Sequence, residues 1–157
     1  MTIEPLQPFL EPVRKSVRVP GSVHDVFRLF TQGIGRWWPL AEHSLSQERA
    51  RGCAIEPRPG GGVYEIRDDG ERYAWGHVLI WEPPRRFVMT WHPGQDADTA
   101  QEVEVRFLPE DDGTRVELEH RGWQKLGAQA KEAHDGYESG WPGVLAHLAD
   151  AARRAKS

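Results

Sequence analysis

Residues 102–120 read EVEVRFLPEDDGTRVELEH, and this stretch restricts the fold more than any other. Val103, Val105 and Phe107 alternate with charged residues; after Asp112–Gly113, Val116 and Leu118 alternate with Glu117 and Glu119. Successive side chains of a strand point to opposite faces, so a two-residue period means one dry face and one wet face. An Asp–Gly pair between two such runs is a hairpin signal. The chain therefore contains an antiparallel sheet with one solvated side, and the dry side must pack on something.

The rest of the sequence supplies the partners. Val13, Lys15, Val17 and Val19 alternate with Arg14, Ser16 and Arg18 as a first strand, ended by Pro20–Gly21. Ser22, three residues before Asp25, fits a helix N-terminus, and Val23, Val26, Phe27 and Phe30 recur at helical spacing until Gly33. GIGRWWPL, residues 33–40, follows as a second short helix or turn. From Cys53 to Trp91, turns at Pro59–Gly62, Asp69–Gly70 and Pro83–Pro84 separate short runs rich in Val, Ile and aromatic residues. The C-terminal region predicts a helix near 128–137 and a longer one near 141–154, or one rod kinked at Pro142. Trp141, Leu145, Leu148 and Ala152 form its apolar stripe, the only long one available to cover the sheet.

The 157 residues suit one domain, expected over 13–157, preceded by an extended arm over 1–12 that carries Pro5, Pro8 and Pro12. A net charge of -4, with no cluster of five or more Lys/Arg, excludes the basic stripe of a nucleic-acid surface. No run approaches the roughly 18 apolar residues of a membrane span. Cys53 is the only cysteine, so no internal disulfide forms, and with no leader-like segment it fits a reducing cytoplasm. The histidines at 24, 43, 77, 92, 120, 134 and 147 make no H-E-x-x-H pair, and PGGG at 59–62 lacks the Lys-Ser/Thr of a phosphate loop. No metal or cofactor is expected. Ser139 in GYESG is misplaced for a nucleophile elbow, and Arg85–Arg86 and Arg153–Arg154 read as solvated charges.

The candidate site comes from the dry face. By period two, Trp75, His77, Leu79 and Trp81 share it, as do Phe87, Met89 and Trp91 on the next strand. Val116, Leu118 and His120 follow on the last, just ahead of Trp123. Indole N–H groups and imidazole nitrogens need partners when buried, so this set fits either an aromatic core with satisfied histidines or a pocket that holds a ligand. Trp37 and Trp38 cannot both point the same way, so one deep anchor is expected there. Glu65, between Tyr64 and Ile66, is solvated if the apolar side of its strand faces inward. Buried near His77 or His120, it would form an acid/base pair.

Four stretches carry a resemblance: VFRLFTQGIGRWWPL, EPRPGGGVYEIRDDGERYAWGHVLIWEPPRRFVMTW, EVEVRFLPEDDGTRVELEHRGW and GYESGWPGVLAHLA. In order and spacing the chain resembles the START-like or SRPBCC superfamily, specifically its branch of homologues of the activator of the heat-shock-protein-ninety ATPase. The resemblance implies an α+β helix-grip fold, as in the major birch-pollen allergen. A curved antiparallel sheet of about six or seven strands would wrap a long C-terminal helix, with two short helices after the first strand. Members of that superfamily bind hydrophobic molecules, cyclise polyketides or stimulate a chaperone ATPase. The expectation is a cavity for a hydrophobic or aromatic small molecule, lined by Trp37, Trp38, Tyr64, Trp75, His77, Met89, Trp91, Leu118, His120, Trp123, Trp141 and Leu145. The alternatives are a co-chaperone acting on a heat-shock chaperone, and a small cyclase, lyase or hydrolase using His77 or His120. Edge strands of such a sheet offer a surface for a homodimer.

Overall fold

The computed structural model describes residues 10–156, so residues 1–9 of the expected N-terminal arm lie outside the described residues. The first strand, β1 (Val13–Pro20), is followed by two short helices, α1 (Val23–Thr31) and α2 (Ile34–Trp37). Six strands come next: β2 (Ala50–Ile55), β3 (Gly62–Arg67), β4 (Arg72–Glu82), β5 (Arg86–Trp91), β6 (Gln101–Glu110) and β7 (Gly113–Arg121). A 3₁₀ segment (Trp123–Gln129) leads into the long helix α3 (Ala130–Lys156). The seven strands form one antiparallel sheet in the order β1-β7-β6-β5-β4-β3-β2. The sheet curls, α3 packs along β1, and Trp141, Val144, Leu145, Leu148, Ala149 and Ala152 are buried on its concave side. This is the α+β helix-grip arrangement expected. Among the described residues no helix is long and apolar enough to cross a membrane.

Local chemistry sets the elements. Ser22 Oγ accepts the Asp25 amide at 3.1 Å and caps α1, whose Val26, Phe27 and Phe30 are buried. Gly33 follows the C-cap Gln32, at a position that needs glycine because a Cβ there would come within 2.9 Å of the Leu29 carbonyl oxygen. Phe27 and Phe30 then meet Phe87 and Phe107 edge-on at 4.9–6.1 Å, filling one end of the sheet.

Of the two C-terminal readings, the single rod is the one found: one helix of 27 residues with Pro142 inside it. An interior proline costs about 3 kcal/mol, but the stripe Tyr137–Trp141–Leu145–Leu148 packs against the core on both sides of it. Tertiary burial therefore outweighs the local break. In β4, Trp75 is an extra residue: Tyr64 pairs with Ala74 and Val63 with Gly76. Leu79 is a second extra residue, since Met89 pairs with Val78 and Val88 with Ile80. Each bulge reverses the alternation. Trp75, Val78 and Trp81 thus face the core while His77 and Leu79, expected inside, face solvent. The first bulge needs glycine, because a Cβ at Gly76 would overlap the Thr90 carbonyl oxygen.

The outer face is a lattice of ion pairs. Glu104, its side chain only 5% exposed, accepts from Arg86, Arg106 and Arg121 at 3.0, 2.8 and 2.7 Å. Burial pushes its carboxyl up, but the three guanidiniums win and hold it at about 2. Arg86, expected to be merely solvated, is a member of this lattice through Glu82 and Glu104.

Candidate functional site

A cleft of about 410 Å³ opens between the segment after α2 and the first half of α3. Its wall is aromatic: Trp38, Trp75, Trp91 and Trp141 pack with ring centroids 5.2–6.0 Å apart. Each of these indole N–H groups is satisfied. Trp38 donates to the His43 carbonyl at 2.8 Å, Trp75 to Glu65 Oε1 at 2.8 Å, Trp91 to the Tyr137 hydroxyl at 3.0 Å and Trp141 to His120 Nδ1 at 3.1 Å. The indoles spend their polar edges on the protein and are tilted against one another at 44–78°, which leaves an apolar aromatic wall.

Trp37 and Trp38 are both buried, at 3% and 7% exposure, so the expectation of a single anchor is corrected. Trp37 closes α2, whereas Trp38 has extended backbone (φ -62°, ψ 129°), and the two side chains diverge at that change. Trp37 packs on Phe30 at 4.9 Å and donates to the Leu29 carbonyl at 3.0 Å, inside the core. Trp38 alone reaches the cleft.

Glu65 is fully buried, because Val63 and Glu65, not Tyr64, are the residues of β3 that point inward. Tyr64, expected in the pocket, lies on the outer face beneath the Arg72 guanidinium at 4.6 Å. The Glu65 carboxylate accepts the Leu45 amide at 2.7 Å, the Ser46 amide at 2.8 Å and the Trp75 indole at 2.8 Å. Burial alone raises its affinity for a proton; the amides of Leu45 and Ser46, the Ser46 hydroxyl and Trp75 together outweigh that, and the carboxyl sits below its ordinary value. Glu65 therefore pins the rim segment 45–46 to the tryptophan wall. Its cross-strand neighbour Cys53 is buried, and its thiol is pushed up to about 12 by burial and by the Glu65 charge, so it is unreactive.

The two histidines offered as acid or base stand away from the cleft. His77 faces solvent beside Thr90, with its Nδ1 3.2 Å from the threonine hydroxyl. His120 is fully buried behind Trp141 and Tyr137, stacked on Trp123 at 4.2 Å. Its Nδ1 accepts from Trp141, so Nε2 carries the proton and donates to Gln101 Oε1 at 3.2 Å. Burial, with a smaller push from His134, lowers its pKa to about 3. A folded pKa below the unfolded value of 6.5 means that the stability from this neutral imidazole is complete above pH 6.5 and fades as pH falls toward 3. The expected result is a His120 ring that stays neutral, with its proton on Nε2, down to pH 5. Ring-nitrogen chemical shifts followed by NMR check this; an imidazolium signal near pH 6 contradicts it.

Trp38, Trp75, Trp91 and Trp141 are thus the predicted residues that the fold brings to one cleft. Trp37, Met89, Leu118, Trp123 and Leu145 are buried in the core instead. Sequence reasoning missed the rim, Glu42 to Leu45, and the helix face made by Ala133, Gly136, Tyr137, Gly140 and Val144. One signal was available: two glycines four apart beside Tyr137 and Trp141 leave a bare strip on a helix. At Gly136 a Cβ would meet nothing within 4 Å, and at Gly140 it would meet only His43, at 3.7 Å.

Comparison with known proteins places this geometry. The family model described as activator of Hsp90 ATPase homolog 1-like protein matches residues 21–153. No curated protein matches the chain. Among solved structures, the anthrahydroquino-gamma-pyrone synthase Txn09 is 38% identical over 90% of this chain and 96% of its own, with a TM-score of 0.62. CalC, a self-sacrificing resistance protein from Micromonospora echinospora, is 26% identical over 92% of this chain and 96% of its own, with a TM-score of 0.68. The Aha1 dimer from Colwellia psychrerythraea, at 14% identity, shares the fold over 91% of this chain and 96% of its own, with a TM-score of 0.65.

Proposed function

Because the chain belongs to the family of activator of Hsp90 ATPase homolog 1-like proteins, we propose that it binds a planar, fused-ring aromatic molecule in the tryptophan-walled cleft. One observation carries this reading: Trp38, Trp75 and Trp91, with Trp141 of α3, line the cleft as an aromatic wall with satisfied N–H groups, and Gly136 and Gly140 leave room beside it on α3. An aromatic lining of that kind suits a ligand that is itself aromatic, and ring stacking adds about 0.5–1.5 kcal/mol per pair beyond burial. Relatedness to a synthase of an anthrahydroquinone-fused pyrone supports the same ligand class.

Titration with 1,8-dihydroxyanthraquinone tests it. Saturable quenching of tryptophan emission is expected, with a Kd on the order of 10 μM or tighter. Emission that shows no saturation up to the solubility of the probe overturns the proposal.

A second reading has its own support. The synthase relative spans nearly the whole chain, and Glu42 and His43 stand at the mouth of the cleft. On that reading the indoles fold a flexible precursor so that its reacting carbons meet, and ring closure needs positioning more than a strong base. Mass spectrometry of a poly-β-ketone substrate incubated with the protein decides it: no cyclised product above the buffer rate ends it. A co-chaperone role has the family's description behind it and no feature of the cleft.

A further inference from the structure

A second, smaller cleft of about 200 Å³ adjoins the first, and the two share Pro93, Ala133 and Tyr137 as common wall. The polar groups of this annex are uncharged amides and an imidazole, from Gln95, Gln101, Gln129 and His92. No Asp, Glu, Lys or Arg lines it. The Tyr137 side chain stands at the junction, stacked on Trp141 at 5.9 Å. Its oxygen accepts the Trp91 N–H at 3.0 Å, and among the described residues no protein group accepts its proton. Burial raises the phenol's pKa, against a smaller opposite push from Trp91, so it remains a donor at neutral pH. A phenol oxygen that already accepts a hydrogen bond donates its own proton more strongly.

We infer that the two clefts form one bipartite site for a fused-ring carbonyl compound bearing a neutral, hydroxylated substituent, with the Tyr137 hydroxyl donating to the ring carbonyl at the junction. This rests on the aromatic-ligand reading above and adds the polar half of the ligand. The flat body lies against Trp38, Trp75 and Trp91. The substituent reaches past Ala133 into the annex, where amide and imidazole groups match hydroxyls and would leave a carboxylate or phosphate uncompensated.

Fluorenone and fluorene form the first pair of probes, since they have the same ring shape and differ by one carbonyl. The wild-type protein is expected to bind fluorenone about ten-fold tighter than fluorene, and Tyr137→Phe to bring the ratio of the two affinities close to one. The second pair is dihydroxyanthraquinone and its O-glucoside. Gln129→Trp, which fills the annex at a position that lines none of the first cleft, is expected to weaken the glucoside about ten-fold or more and to spare the aglycone. The melting temperature of each variant reports whether the fold has survived. If fluorene and fluorenone both fail to bind the wild type, the aromatic-ligand reading falls. If both bind alike and Tyr137→Phe changes neither, that reading stands and the bipartite site is overturned. A glucoside affinity in Gln129→Trp equal to that of the wild type overturns the annex.

Discussion

Gly140→Trp is expected to weaken binding of the dihydroxyanthraquinone probe by at least 100-fold while the protein remains folded. Gly140 lies on the cleft side of α3, and a Cβ built there has only His43 in contact range, at 3.7 Å. An indole at this position therefore projects into the space the ligand needs. His43 is exposed and can move, so the substitution meets little resistance from the core. Replacing a helical glycine also gains up to about 1 kcal/mol of helix propensity, and the melting temperature should hold or rise. Gly140→Ala is the control: the same gain in helix stability, with affinity within about three-fold of the wild type, since a methyl group occupies little of the cleft. Isothermal titration and thermal melts of the three proteins check both halves. Retained affinity in Gly140→Trp means that the ligand binds elsewhere.

Glu65→Leu is expected to be the most destabilising single change at the site. It removes the acceptor for two backbone amides and for the Trp75 indole, and the indole is fully buried. An unmade hydrogen bond at a buried donor costs about 1–3 kcal/mol; the Leu45 and Ser46 amides are only partly buried and recover some of it from water. A loss of about 3–4 kcal/mol follows, or roughly a 10 °C fall in melting temperature for a chain of this size. Glu65→Gln keeps one acceptor oxygen and should lose about half as much. The pH dependence separates charge from shape. The folded carboxyl lies below its ordinary value, so its stabilisation is complete above the unfolded pKa, near 4.5, and disappears as pH falls through the lower folded value. Urea unfolding from pH 7 to 3 should therefore be less steep in Glu65→Gln than in the wild type. Identical slopes contradict a charged Glu65. Because Leu45 and Ser46 form the rim, both variants should also bind the probe more weakly than their stability alone accounts for.

Much of this protein is legible in its residues. The alternation in β6 and β7, the Ser22 cap and the apolar stripe of α3 each depend on neighbours within a few positions, and each appears where the pattern places it. That local order also put Trp75, Met89, Trp91, Leu118 and His120 on the concave side correctly. It could not show which of them reach open space, because that depends on what packs opposite. His120 is sealed behind Tyr137 and Trp141 and Leu118 lies in the core, whereas Trp75 and Trp91, though as deeply buried, stand at the wall of the cleft.

The sequence by itself determined the grip: a one-sided antiparallel sheet and a single helix able to cover it, both written in short-range periodicity. Tertiary structure alone decided the site. Two bulges in β4 turned His77 outward, and pairing between distant strands, not any run of residues, sets where an extra residue falls. Burial of Glu65 was likewise settled by a segment twenty residues away folding its amides onto the carboxylate. A charge is stable in such a place only when those distant donors arrive, and no local pattern encodes their arrival.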